Sequence, residues 1–188
     1  MFQNPTPAVV LAATLAVSGC SVYSIVGAVP SSPEEAAEIN RITATPESTQ
    51  AFLAGTTVKG YEKLHGTQIE YLGRNGLASL WYPGNTETVP SRWKVEQAGG
   101  GSEVCFKYPT RSYNPVTGEG GGFWECHPAV EYLYLHDEIR EGDSLGLASG
   151  RVPYVMPKET DVSIAAAMQK SGSRKKVGKN KVTWQWRN

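Results

Sequence analysis

The chain has 188 residues and carries eighteen Lys and Arg against eighteen Asp and Glu, for a formal net charge of zero. That length suits one modest domain with a leader and tails. The charge balance excludes a chain that is, as a whole, a polycation for nucleic acid or an acidic solvating polymer. The neutral total conceals an asymmetry: residues 119–143 are predominantly acidic, whereas Lys170, Arg174, Lys175, Lys176, Lys179, Lys181 and Arg187 follow with no acid between them.

Residues 8–17 form an apolar run. As a helix it would rise about 15 Å, roughly half the hydrocarbon thickness of a bilayer. That is the size of a signal-peptide core rather than a membrane span. Val17-Ser18-Gly19-Cys20 follows at once. Small residues before a cysteine resemble the lipobox of bacterial lipoproteins, in which the thiol takes up diacylglycerol and cleavage leaves the cysteine first. The resemblance implies a signal peptide at 1–19, a lipid on Cys20 and attachment to a membrane through it. Residues 1–7 contain no Lys or Arg, unlike most signal peptides. The alternatives are an ordinary secreted chain with an incidental Cys20, or a buried apolar start. Ser21 after the cysteine, rather than Asp, matches the enterobacterial pattern for the outer membrane.

With Cys20 lipidated, Cys105 and Cys126 remain. An even pair in an exported chain reads as a disulfide, here closing a loop of about twenty residues, worth roughly 3 kcal/mol in the chain-entropy model. Metal binding is the alternative, since His127 follows Cys126, but the paired C-x-x-C spacing of zinc sites is absent.

Along the mature chain, residues 20–45 read as a tether with a short helix. Ser32-Pro33-Glu34-Glu35 supplies a capping serine, a first-turn proline and acids at the positive end of the dipole, with the helix ending near Arg41. A second start is Thr45-Pro46-Glu47, with Phe52 and Leu53 to pack and Gly55 as a stop. From Thr56 the period becomes two, and residues 46–158 read as a disulfide-stapled β domain. Strands are expected at 56–62, 67–72, 77–82, 91–96, 103–108, 123–127 and 130–135. Ile69 and Tyr71 share one face with Gln68 and Glu70 on the other, and Trp93 and Val95 point inward with Arg92, Lys94 and Glu96 outward. Arg74-Asn75-Gly76, Pro83-Gly84-Asn85 and Gly99-Gly100-Gly101 supply turns. The fold class is mainly β: an antiparallel meander, as a small barrel or curved sheet, with short N-terminal helices and an irregular C-terminal extension. Residues 109–122 form a long loop whose base the disulfide would staple. Residues 159–188 form the basic extension, with Thr160-Asp161 able to cap a short helix through Lys170.

Residues 55–157 resemble a family of uncharacterised small β-domain lipoproteins of alphaproteobacteria. The resemblance rests on Gly55-Thr56-Thr57-Val58, Trp81-Tyr82-Pro83-Gly84-Asn85, Trp93, Val104-Cys105-Phe106-Lys107-Tyr108, Ser112-Tyr113-Asn114-Pro115-Val116-Thr117-Gly118 and Trp124-Glu125-Cys126. It implies a secreted β fold with a disulfide and transfers no activity.

Motifs that carry chemistry are scarce. No H-E-x-x-H, P-loop or G-x-G-x-x-G occurs. His136-Asp137 could form a base and its acid, or an ordinary loop-edge pair. Glu125 and Glu131, on strands expected to be adjacent, could pair as in a glycosidase. No catalytic residue, metal ligand or cofactor is assigned. Among the aromatics, Trp93 and Phe106 read as core. Tyr113 and Trp124 flank the stapled loop and are binding candidates, as are Lys175, Lys176, Trp184 and Trp186 of the basic end. That end suits an anionic envelope component, with a last strand at 182–186 as the alternative. The expectation is a non-enzymatic lipoprotein on the periplasmic side of the outer membrane, with no nucleic-acid partner. The rivals are a small enzyme acting on envelope glycans and a small-barrel protease inhibitor.

Overall fold

The computed structural model describes Pro30 and residues 32–182. The leader, Cys20, Trp184 and Trp186 lie outside the described residues. Helix α1, Pro33–Thr43, begins where the Ser32 hydroxyl accepts the Glu35 amide at 3.2 Å and proline takes the first turn. Helix α2, Pro46–Leu53, opens with a capping box in which Thr45 and Ser48 satisfy each other's amides. The two helices bury Ile39, Ile42 and Leu53.

Strands β1 (Thr56–Glu62), β2 (Gly66–Leu72), β3 (Leu77–Trp81), β4 (Val89–Ala98) and β5 (Gly101–Lys107) form a meander. After the long loop, β6 (Glu125–Pro128) pairs with β5. Helix α3 (Ala129–Tyr134) follows, and β7 (Glu138–Glu141) returns across the molecule to pair with β1. The sheet is antiparallel throughout, in the order β6-β5-β4-β3-β2-β1-β7. It curls as a half-barrel, leaving β6 and β7 as its edges. The chain ends its regular structure with a 3₁₀ turn at Leu147–Ser149 and helix α4, Ile164–Lys170, whose N-cap is Ser163.

Two cores lie on opposite faces of this sheet. On the first, Val58, Leu72, Ala78, Trp93, Val104, Phe106 and Ile139 pack under residues of α1, α2 and α3. On the second, Ile69 and Trp81 pack under Leu147, Met156, Ile164, Ala167 and Met168. That second cover reaches β1, β2 and β3 but not β4 and β5, where Arg92, Glu96 and Lys107 are exposed.

One expected element is corrected. Residues 130–135 are not a strand but most of α3. Val130, Tyr132 and Tyr134 would satisfy period two, yet Ala129, Tyr132 and Leu133 satisfy the helical spacing and are the residues buried. The Tyr132 ring lies 5.6 Å from Phe106, so α3 folds back over β5. The edge strand beside β1 is β7, whose Glu-Ile-Arg-Glu sequence has one apolar residue and therefore little periodic signal. Both faces of β2 are covered, so Glu70, on the face opposite Ile69 and Tyr71, is buried as well.

The basic segment after α4 is packed as far as Val182. Glu141 donates its amide to the Lys179 carbonyl at 3.0 Å, Lys181 donates to Ile139 at 2.7 Å, and Ile139 donates to the Asn180 side chain at 3.1 Å. Val182 is buried in the first core. This strap covers the outer edge of β7, which would otherwise offer unpaired amides to another chain. It can lie so close because residue 178 is glycine: a β-carbon there would collide with the Glu141 carbonyl.

Candidate functional site

The uncovered face of β4 and β5 carries the most exposed chemistry. Cys105 and Cys126 are directly opposed on β5 and β6 and form a disulfide, with Cα atoms 4.0 Å apart. The bond engages both sulfurs, although Glu96 lies close enough to complete a group of three potential metal ligands. The bond closes the base of the loop at 108–124, which is ordered by its own backbone. Ser112 donates to Pro109 at 2.8 Å, Asn114 to Glu119 at 2.8 Å, and Gly122 to Tyr108 at 3.0 Å. The Asn114 side chain accepts the amides of Val116 and Thr117. Gly121 is needed where the returning strand crosses the outgoing one, because a β-carbon there would strike the Pro109 carbonyl. The loop is therefore a decorated hairpin held rigid at its root.

Beside that root is a groove of about 330 Å³, lined by Leu77, Pro90, Arg92, Lys107, Pro109 and Gly122 among others. Leu77, Arg92 and Lys107 are successive cross-strand partners on β3, β4 and β5 and so share a face. Trp124 directly precedes β6, one residue beyond the last paired position, where Glu125 faces Phe106. Trp124 is 38% exposed, and the Lys94 ammonium sits 4.3 Å from its ring centroid. Lys94 also pairs with Glu96. Of the other sequence candidates, Tyr113 stands on the loop, 67% exposed, and bridges to Gly120 on the returning side, where Phe123 is 56% exposed. Lys175 and Lys176 are exposed on the C-terminal strap, with the Lys175 ammonium held 3.2 Å from the Asp143 carbonyl. Tyr113 and Trp124 are thus on the loop side of the molecule, and the two lysines follow α4.

Behind the groove residues lies a polar cluster that alternation alone does not reveal. Glu70 is buried on the first face, 3.3 Å from the Ser91 hydroxyl and 3.5 Å from the Tyr108 hydroxyl. Burial pushes its carboxyl up to about 8, against the weaker opposing effect of those two hydroxyls. Burial also raises the Tyr108 and Tyr132 phenols well above their ordinary range, and the carboxyl of Glu70 adds to both shifts. The buried Tyr132 hydroxyl has no hydrogen-bond partner among the described residues. The only prior hint was one acid in an otherwise ordinary strand.

The carboxylate and imidazole pairs singled out in the sequence have other partners. Glu131 is on α3, not on a strand adjacent to Glu125. Glu125 contacts the His127 ring at 3.4 Å, and this contact, outweighing burial, holds its carboxyl below the usual range and raises the imidazole. His136 donates Nδ1–H to the Tyr132 carbonyl at 2.7 Å, and burial pushes it down to about 4. Its neighbour Asp137 is instead 2.9 Å from the buried Lys59 ammonium, which also meets Asp161 at 2.5 Å. Burial alone would lower Lys59, but the hydrogen bonds it donates to Asp161 and Asp137 outweigh it and hold the ammonium above its ordinary value. This triad ties β1 to the turn before β7 and to the segment before α4.

No family model, no curated protein and no solved structure matches the chain.

Proposed function

We propose that this chain is a lipoprotein of the cell envelope, anchored through acylated Cys20 on the periplasmic side of the outer membrane, whose β domain works by binding. The observation that carries this reading is the Cys105–Cys126 disulfide. Such bonds persist in oxidising compartments, which is where a leader ending in Val17-Ser18-Gly19-Cys20 would deliver the chain. A binding role is further supported by what the disulfide holds in place: a rigid hairpin beside a groove with exposed aromatic rings and cations. The carboxylates favoured for glycan chemistry support it too. Glu125 is lowered rather than raised, the wrong direction for a general acid, and Glu131 is on α3 rather than on a neighbouring strand. The exposed Lys175 and Lys176 suit an anionic envelope component as partner.

Mass spectrometry of the mature protein from membranes tests the anchor. The expected product starts at Cys20 and carries the mass of a diacylglyceryl group and an amide-linked acyl chain. A mature protein with an intact leader, or with an unmodified terminus elsewhere, would refute it.

A further inference from the structure

We infer that the groove beside the stapled hairpin is a binding subsite for an acidic saccharide, a sugar ring bearing a carboxylate, with Arg92 and Lys107 taking the acid and Trp124 taking the ring. This rests on the binding role proposed above and adds the ligand class.

The argument begins with Arg92 and Lys107, which face each other directly across β4 and β5. Directly opposed residues bring their β-carbons to about 5 Å, and like charges there destabilise a sheet. The rest of this face avoids that problem locally: Lys94, one row along, has Glu96 as its acid. Arg92 and Lys107 have no carboxylate partner among the described residues, both are exposed, and both line the groove. Two unpaired cations at one concave place are an arrangement that an anion relieves. Arg92 adds a planar fork that matches the two oxygens of a carboxylate.

The neighbours of the cations decide between kinds of anion. Trp124 precedes β6 by one residue at the edge of the groove, and its partly exposed ring has the Lys94 ammonium 4.3 Å from its centroid. A pyranose presents one face of C–H bonds and a rim of polar groups, so an aromatic ring beside hydrogen-bond donors matches both parts of it. The groove is concave, walled by Pro90 and Pro109, and its volume is near the lower end of the range for small-molecule sites. A flat membrane surface would reach the rim but not the floor. The hairpin wall is set by the disulfide and Gly121, so little ordering is needed on binding.

Calorimetric titration of the full mature chain in non-ionic detergent tests this with three probes. They are the disaccharide of N-acetylglucosamine and N-acetylmuramic acid, neutral diacetylchitobiose, and inorganic phosphate. The acidic disaccharide should bind, and chitobiose should bind at least about tenfold more weakly, because a charge-assisted pair is lost. Phosphate should compete poorly. Arg92→Gln/Lys107→Gln should lose the preference for the acid while unfolding at the same or a slightly higher denaturant concentration, since a like-charge pair is removed. Trp124→Ala should weaken both sugars. Equal binding of the two sugars, unchanged binding by the double variant, or no binding at all would each overturn the proposal. Phosphate binding as tightly as the disaccharide would assign the cations to a phosphorylated ligand and overturn it as well. A correctly acylated chain that fails these tests would sink this inference and leave the membrane anchor standing.

Discussion

Glu70→Gln isolates the cost of burying a carboxyl in the first core. In the folded chain the group titrates at about 8, against an ordinary carboxylate value of 4.5. Between those values the folded state holds a proton that the unfolded state has released. Stability therefore falls as pH rises through this window, by about 1.4 kcal/mol per pH unit, and is fully retained only below the unfolded value. At pH 7 the window has been crossed for about 2.5 units, an upper figure near 3 kcal/mol, and relaxation of the surroundings reduces it to the order of 1–3 kcal/mol. Glutamine keeps the shape and the acceptor oxygen for Ser91 without a proton to gain. The variant should match the native chain near pH 4.5 and exceed it progressively up to about pH 8. Urea unfolding followed by tryptophan fluorescence, with the disulfide intact, at four pH values across that range gives the comparison. Parallel stability curves would refute the reasoning, and a variant that weakens as pH rises would show that the ionised carboxylate is the favoured form.

Three further perturbations probe the frame. Cys126→Ser should lower stability by about 3 kcal/mol in oxidising buffer, with the two chains converging when reductant is added; coincident denaturation curves without reductant would contradict the constraint. Trp93→Ala removes a buried ring whose Nε1–H donates to the Gly73 carbonyl at 2.9 Å, and about 3–5 kcal/mol should be lost; a change below about 1 kcal/mol in urea unfolding would place the ring outside the core. Lys59→Met leaves Asp137 half-buried without its cation, at an expected cost of about 3–5 kcal/mol. Lys59→Met/Asp137→Leu should recover most of that loss, and a double variant as weak as the single would show that the pair is not the source.

Much of this fold follows from local rules. The caps at Ser32 and Thr45 depend on a hydroxyl reaching an amide three residues on, so the helix starts are legible one residue at a time. Strands β1 to β5 are legible because their alternation has a period of two, and Trp93 and Arg92 fall on opposite faces for that reason alone. The cysteine pair is arithmetic combined with compartment. Of the candidate site, Trp124 was legible as an aromatic flanking a stapled loop. Arg92 and Lys107 were placed only by the β4–β5 register, which depends on the two-residue Gly99–Gly100 turn.

What the tertiary structure alone decided concerns residues whose local pattern permits two answers. Residues 129–134 carry apolar side chains compatible with both periods, and the helix prevails because Ala129, Tyr132 and Leu133 can then cover β5. Strand β7 has almost no pattern of its own; it is a strand because β1 offers it a row of unpaired amides and carbonyls. Glu70 and Lys59 look solvated in an alternating strand, and they are buried because segments distant in the chain cover both faces of β1 and β2. Alternation says which residues share a face of a sheet, but only the packing of the remaining chain determines whether that face meets water.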